Sequence, residues 1–164
     1  PAFHTMPIIS DKIQLIISEH LFQQHFGSKM LSEFYSGVDL TAFSGVPFSL
    51  YYETGAMNVI IRQHLSDRGI SLEKTPYHIS DCDTHILLCS SGLCAALIPK
   101  MLSLRVHEHN AKCSPGQRIH IFPVKSFHYP LRVELIWHKN ITQPFYVKVF
   151  CELIDEAANQ LMKK

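Results

Sequence analysis

The stretch VPFSLYYETGAMNVIIRQHLSDRG, from Val46 to Gly69, contains the pattern that decides the fold class. Its first part, Pro47 to Tyr52, is rich in aromatic residues and favours a strand. The part from Gly55 to Gly69 has apolar residues at intervals of three and four, which predicts a helix that ends at its glycine. The predicted buried stripe of this helix comprises Met57, Ile60, Ile61, His64 and Leu65.

Strand and helix patterns alternate on both sides of this stretch. Further strands are predicted at Lys12–Ser18, Pro76–Ser80, Cys94–Ile98, Arg118–Val124 and Leu131–His138. Short helices are predicted on both sides of Gly27 within 20–35, at 39–43 with Asp39 as its cap, from Asp81 to about Ser91, and after Pro99. A long helix is predicted over Gln143–Met162. The polar segment Val106–Gly116 is interpreted as a surface loop. This alternation favours an α/β architecture with mixed sheets.

The composition excludes some classes of protein. The chain has 164 residues, 46% of them hydrophobic, which is typical of one globular domain or two small subdomains. The 15 basic residues are scattered and the net charge is only +1, so we expect no direct contact with DNA. The apolar runs are much shorter than the roughly 20 residues of a membrane span.

The cysteine content bears on the cellular compartment. Five Cys residues in irregular spacing do not form a disulfide framework. No charged segment followed by an apolar run opens the chain, which argues against a secretory signal. We therefore expect a reduced, cytoplasmic protein without contact with a membrane.

Three stretches carry a resemblance to a known family. The first stretch is Leu40-x-x-Phe43, followed by Val46-Pro47-Phe48-Ser49-Leu50 and the helix that contains Arg62. The second is SSGLCAALIP, from Ser90 to Pro99. The third is the strand VELIWH, which begins at Val133, together with the helix that begins at Gln143. In this order, the stretches resemble the effector-binding (substrate-binding) domain of LysR-type transcriptional regulators. The family's G-x-G-I-A-L-L-P segment has a second glycine where this chain has Cys94.

The resemblance implies an α/β fold of the type 2 periplasmic-binding-protein kind, with two subdomains and a small effector in the cleft between them. Residues 1–12 would be a remnant of the first subdomain and a crossover, and 13–123 the second subdomain. Residues 124–130 would be the return crossover, and 131–164 the closing strand and C-terminal helix of the first subdomain. The first subdomain is therefore expected to be incomplete in this chain. The helix stripe of Val147, Phe150, Cys151, Ile154, Ala158 and Leu161 is predicted to be buried.

The same resemblance implies a ligand-sensing regulatory domain. It would bind a small molecule, for which an anion is one candidate, associate with itself, and control a DNA-binding domain that lies outside this chain. Two alternatives remain open, an enzyme and a solute-binding protein on the same scaffold. The sequence has no G-x-S-x-G elbow and no G-x-G phosphate loop, so we expect no catalysis and no cofactor.

The most suggestive candidate site is the turn between the strand and the helix of the opening stretch. Tyr52, Glu53, Thr54 and Gly55 lie where free backbone N–H groups and the helix dipole favour an anion. The alternative is that Thr54 only caps the helix and one tyrosine belongs to the core. Glu53 would repel an anion unless it turns away. By resemblance, three residues near the return crossover are further candidates for the effector site, although they could equally be connector residues: Phe122, Ser126 and His128.

A metal site is the weaker reading of the Cys and His residues. Cys82, His85 and Cys89 share one face of a predicted helix, as zinc ligands can. Free cysteines are, however, usually buried in the core, and no C-x-x-C pair completes a ligand set. His107 and His109 fall in the predicted surface loop. We therefore expect no metal.

Overall fold

The computed structural model describes residues 2–27 and 31–162. The short helices predicted within 20–35 include residues 28–30, which lie outside the described residues. The chain divides into two compact units, Pro1–Lys12 with Pro130–Lys164, and Ile13–Tyr129. The predicted subdomain boundaries stay a prediction.

The strands and helices of the described chain alternate as an α/β fold. The strands are β1 (Phe3–Asp11), β2 (Ile13–Ser18), β3 (Phe48–Leu50), β4 (Tyr77–His78), β5 (Ala95–Pro99), β6 (Ile119–Pro123) and β7 (Leu131–His138). The helices are α1 (Glu19–Phe26), α2 (Leu31–Phe34), α3 (Ala56–Asp67), α4 (Cys82–Ser90), α5 (Ser103–Asn110) and α6 (Phe145–Met162). Short 3-10 helices cover Leu40–Phe43, Lys100–Leu102 and Pro115–Gln117.

The larger unit contains a mixed sheet of five strands in the order β4-β3-β5-β2-β6. Strand β3 pairs in parallel with both β4 and β5, and β2 pairs antiparallel with β5 and β6. The side chains of β2 at Leu15, Ile16 and Ile17 are fully buried, as expected for a central strand covered on both faces. The α/β fold with mixed sheets is confirmed.

Two expected caps are present in this unit. Asp39 accepts a hydrogen bond from the backbone N–H of Thr41, and Asp81 accepts one from that of Thr84 at the start of α4. Both carboxylates therefore satisfy N–H groups that lack a partner within the helix. The predicted starts of these two helices are confirmed.

The prediction of a loop over Val106–Gly116 is wrong for its first part. Residues up to Asn110 belong to α5, which buries Val106 and ties itself to β6 through Asn110. The Asn110 side chain donates to the carbonyl of Ile119 and accepts from its N–H, both at 2.8 Å. This largely polar helix is also tied to α4, by a contact of His109 with the Ser90 hydroxyl and by the ion pair of Arg105 with Asp83.

The smaller unit contains a strand that the sequence did not predict. Strand β1 pairs antiparallel with β7, with an irregularity between Pro7 and Ile9. Helix α6 follows β7 in this unit, and Ala158 is buried on it. The expectation that Phe150 is buried is wrong, because 59% of its surface is exposed. Val147, Cys151 and Ile154 are half-buried, and the side chain of Leu161 lies outside the described residues.

Candidate functional site

The turn from Tyr51 to Gly55 lies at the carboxyl end of β3 and leads into α3. Because β3 and β4 are parallel, their carboxyl ends lie at the same edge of the sheet, where ligands commonly bind in α/β folds. A cavity of about 410 Å³ opens at this edge. It is lined by Tyr51, Tyr52, Thr54, Gly55, Ala56, Met57 and Ser80. An adjoining cavity of about 370 Å³ is lined by Tyr52, Glu53, Thr54 and His78.

The N-terminus of α3 has no side-chain cap. Gly55 is the N-cap residue, and no side chain accepts a hydrogen bond from the first turn. The alternative that Thr54 caps the helix is therefore wrong. Because the first N–H groups of a helix have no partner within it, those of α3 are open to a ligand. A Cβ at position 55 would lie 3.2 Å from the carbonyl oxygen of Tyr52, so glycine suits this tight turn.

Glu53 does not leave its charge unpaired beside this N-terminus. Its carboxylate forms an ion pair with Arg62 across 3.5 Å. The side chain of Asn58, which is buried, lies between Arg62 and Tyr51. With its amide oriented to satisfy both neighbours, its oxygen accepts from Nε of Arg62 at 3.0 Å and its nitrogen donates to the carbonyl of Tyr51 at 3.3 Å. The negative charge of Glu53, which would repel an anion, is thus partly neutralised by Arg62 of α3.

The two tyrosines of the turn have different roles. Tyr51 is buried, and its ring lies 4.6 Å from that of His85 on α4. Burial raises the pKa of the Tyr51 phenol well above its usual value and lowers the pKa of His85. Tyr52, in contrast, is 56% exposed and borders both cavities. Tyr51 is therefore the core residue of the pair, and Tyr52 is available to a ligand.

Phe122 lies away from this turn, in an aromatic cluster. Its side chain is fully buried, and its ring lies 5.6 Å from that of Phe22 and 5.8 Å from that of Phe34. A ring enclosed in this way cannot contact a ligand at the carboxyl ends of β3 and β4. The structure gives Phe122 a core role.

The segment that contains Ser126 and His128 packs near the other end of α3. Phe127, between them, lies against His64, and Tyr129 donates a hydrogen bond to Asp67, the last residue of α3. Gly55 and His64 are separated by about 13 Å along the helix axis at 1.5 Å per residue. Ser126 and His128 are exposed, and Ser126 adopts a φ of 57°. The structure therefore does not bring these two residues together with the turn at Tyr52.

The cysteine and histidine face of α4 is part of the core. Cys89 and His85 are fully buried, and Cys82 packs against the cluster that includes Cys89. Burial raises the pKa of the Cys82 thiol to about 11, which disfavours the thiolate that zinc requires. Over residues 2–27 and 31–162, no three His, Cys, Asp or Glu side chains are placed to hold a metal ion. The histidines at 107 and 109 lie on α5.

Sequence reasoning missed three residues at this edge. Asn58 positions Arg62, while Ser80 and His78 line the cavities from the β4 side. The parallel pairing of β3 with β4 places these last two residues near the turn, and no local pattern encodes that pairing. Asn58 carried a weak signal, because it is the polar residue within the otherwise apolar first half of α3, Ala56 to Ile61.

Comparison with known proteins relates this fold to a group of regulatory domains. No protein-family model matches the sequence, and no curated protein matches it significantly. Among solved structures, the effector-binding domain of QuiR in complex with shikimate matches with a TM-score of 0.69 and 14% identity over 98% of this chain and 67% of its own. The regulatory domain of CcmR from Synechocystis PCC6803 in complex with 2-PG matches with a TM-score of 0.69 and 9% identity, over 95% of this chain and 67% of its own.

A third solved structure is a full regulator. CbnR, a LysR family transcriptional regulator, matches with a TM-score of 0.65 and 14% identity, over 94% of this chain and 47% of its own. The chain thus spans about two thirds of the matched domains and about half of CbnR. These likenesses confirm the expected periplasmic-binding-protein-like type 2 fold. In the described part of the chain, no helix has the length and apolar character needed to cross a membrane.

Proposed function

We propose that this chain belongs to the effector-binding domain of a LysR-type transcriptional regulator. The likeness of fold to such domains over nearly the whole chain supports this proposal most strongly. The motifs at Leu40–Leu50, Ser90–Pro99 and Val133–His138 support it independently, because they follow the order of the family. The role is binding rather than catalysis, in a cytoplasmic protein that contacts DNA through another part of its chain and associates with itself.

The proposed effector is a small anion held at the N-terminus of α3. Its carboxylate or phosphate oxygens accept from the open N–H groups of the first turn, where the helix dipole favours negative charge. The Thr54 hydroxyl adds a donor, and the exposed ring of Tyr52 covers the organic part of the ligand. The pairing of Glu53 with Arg62 lowers the repulsion that Glu53 would exert. We leave Phe122, Ser126 and His128 out of this site because of their positions.

Signalling follows from differential binding. A ligand that binds one arrangement of the domain more tightly than another shifts the population toward it. The open turn gives this ligand direct contact with α3, whose far end contacts Phe127 and Tyr129 just before the chain leaves this unit. A ligand at Gly55 therefore acts on the helix that holds this segment.

The substitution Gly55→Asp tests the proposed site. Its carboxylate would occupy the open N–H groups as a helix cap and repel any anion, while the backbone at Gly55 (φ −78°, ψ 138°) suits a capping residue. We expect the wild-type chain to be stabilised thermally by shikimate, 2-PG or inorganic phosphate, and Gly55→Asp to lose that response. The matched control is Gly116→Asp, which adds the same charge where a Cβ meets open space.

Two results would contradict the proposal. If Gly55→Asp keeps the full response to these ligands, the anion binds elsewhere. If Gly116→Asp loses the response equally, the effect is one of net charge rather than of a site. A far-ultraviolet circular dichroism spectrum checks that both variants are folded.

A further inference from the structure

A triad of polar side chains lies outside the proposed effector site. The hydroxyl of Tyr35 lies 2.9 Å from Nδ1 of His120, and Nε2 of His120 contacts the carboxylate of Glu19. These residues come from three separate segments: the turn after α2, strand β6 and the first position of α1. The order of groups is a hydroxyl, a base and a carboxylate that orients the base, which is the arrangement of an activated nucleophile.

The hydrogen bonds fix the direction in which a proton moves. Glu19 is held ionised, because hydrogen bonds from Gln23 and His120 lower the pKa of its carboxyl group. An ionised carboxylate only accepts, so Nε2 of His120 carries a proton; in the neutral imidazole, Nδ1 then has a free lone pair. In that form of His120, the Tyr35 hydroxyl donates to Nδ1. This is the tautomer that a general base requires.

The packing around the triad fixes its rings while part of Tyr35 stays exposed. The His120 ring stacks on Phe122 with 15° between the ring planes, and the Tyr35 ring lies 5.2 Å from Phe122. The residue Tyr35 is 52% exposed, whereas the side chain of His120 is 13% exposed. His120 is therefore sheltered from water, while part of Tyr35 faces the solvent from which an acyl donor would approach.

We propose that Tyr35 is an acyl-acceptor site that reacts with activated acyl donors such as esters of acidic phenols or acyl phosphates. The phenol oxygen attacks the acyl carbon and forms a C–O bond, the bond to the leaving group breaks, and the leaving group keeps the electron pair. The phenolic proton passes to Nδ1 of His120 and from there to the leaving group. Glu19 stabilises the imidazolium while it carries two protons.

Tyr52 provides an internal control. It is 56% exposed, close to the 52% of Tyr35, and it has no histidine partner among the described contacts. Burial and the Glu19 charge raise the pKa of the Tyr35 phenol, which without a base slows its reaction with an acyl donor. A faster reaction at Tyr35 therefore reports proton removal by His120 during the attack.

The test is acetylation by p-nitrophenyl acetate at pH 7.5, with the modified tyrosines quantified by peptide mass spectrometry at short times. We expect Tyr35 to be acetylated at least about ten-fold faster than Tyr52, since positioned general bases contribute about 10² to 10⁴. Equal rates at the two tyrosines, or a slower rate at Tyr35, would overturn the proposal.

Two variants separate catalysis from packing. His120→Gln removes the base, and Glu19→Gln retains the size of the side chain while offering an amide donor that favours the wrong tautomer of His120. Each variant should lower the rate at Tyr35 at least about ten-fold and leave the rate at Tyr52 unchanged. Because His120→Gln alters an aromatic cluster, its folding is checked by circular dichroism. If the Glu19→Gln variant is folded and its Tyr35 is acetylated at the wild-type rate, the triad has no activating role.

Discussion

The ring of Phe127 lies against that of His64, with 4.5 Å between the ring centroids and 35° between the planes. This contact holds the segment after β6 on the C-terminal half of α3. Tyr129 adds a second contact two residues later, through its hydrogen bond to Asp67. The segment that leads to β7 is therefore attached to the helix whose other end carries the proposed effector site.

The first prediction concerns the pH dependence of this contact. Burial lowers the pKa of His64; Arg68 and His128 act in the same direction, and Asp39 and Asp67 oppose them. The folded state thus binds the proton more weakly than the unfolded state, whose His pKa is about 6.5. The stabilisation that His64 contributes is therefore complete above about pH 6.5 and is lost as the pH falls below that value. The urea midpoint of the wild-type chain should therefore drop between pH 7.5 and pH 5.5.

The substitution His64→Phe keeps an aromatic partner for Phe127 and removes the titration. The midpoint of this variant should fall less than that of the wild type over the same pH range. His85, whose pKa is also lowered, is present in both proteins and cancels in the comparison. An equal drop in the two proteins would show that His64 does not contribute.

The second prediction distinguishes a core residue from a site residue. Phe122→Ala should lower the free energy of unfolding by about 3 to 5 kcal/mol, because it removes a ring that is fully buried among aromatic side chains. Tyr52→Ala should change it by about 0.5 kcal/mol or less. Chemical denaturation measures both. Comparable losses in the two variants would contradict the assignment of Phe122 to the core and Tyr52 to the surface.

The third prediction concerns the attachment of α5 to β6. In Asn110→Asp, the carboxylate can still accept from the N–H of Ile119 but faces its carbonyl without a donor. We expect the free energy of unfolding, measured by chemical denaturation, to fall by about 1 to 3 kcal/mol. The control is Gln24→Glu, which adds the same charge at an exposed position. A free energy of unfolding that is unchanged, or that falls equally in the control, would show that Asn110 does not hold these two elements together.

The contrast between α3 and α5 shows which helices the sequence predicts. Apolar residues at intervals of three and four made α3 recognisable, and Ile61 and Leu65 of that stripe are buried. Helix α5 has only Val106 as a buried apolar residue, and no side chain caps it. Its position depends on Asn110 and a distant strand, so no local pattern marked it as a helix.

Strand β1 was missed for a related reason. Pro7 lies within it, and proline disfavours a strand assignment because it lacks an N–H. The strand accommodates this residue because it pairs only with β7, next to an irregularity in the pairing. The partner lies more than a hundred residues away in the chain, which a local reading cannot detect.

The candidate site was predictable only in part. The turn and its helix N-terminus followed from the local pattern, and Tyr52 to Gly55 do lie together there. The pairing of Glu53 with Arg62 and the role of Asn58 depend on which faces of α3 meet the sheet. The candidacy of Phe122, Ser126 and His128 came from resemblance alone. In the structure, Phe122 is buried in an aromatic cluster, and the segment of Ser126 and His128 lies near the C-terminal end of α3 rather than at the turn.

The most direct test of the proposed anion site compares the N-termini of α3 and α4, which belong to the same unit. Helix α3 is uncapped, whereas Asp81 caps α4. In a titration with inorganic phosphate followed by ¹H–¹⁵N correlation spectra, the amides of Ala56, Met57 and Asn58 should shift and saturate. Those of Asp83 and Thr84 should remain in place. Equal shifts at both helices, or none at α3, would contradict an anion site at Gly55.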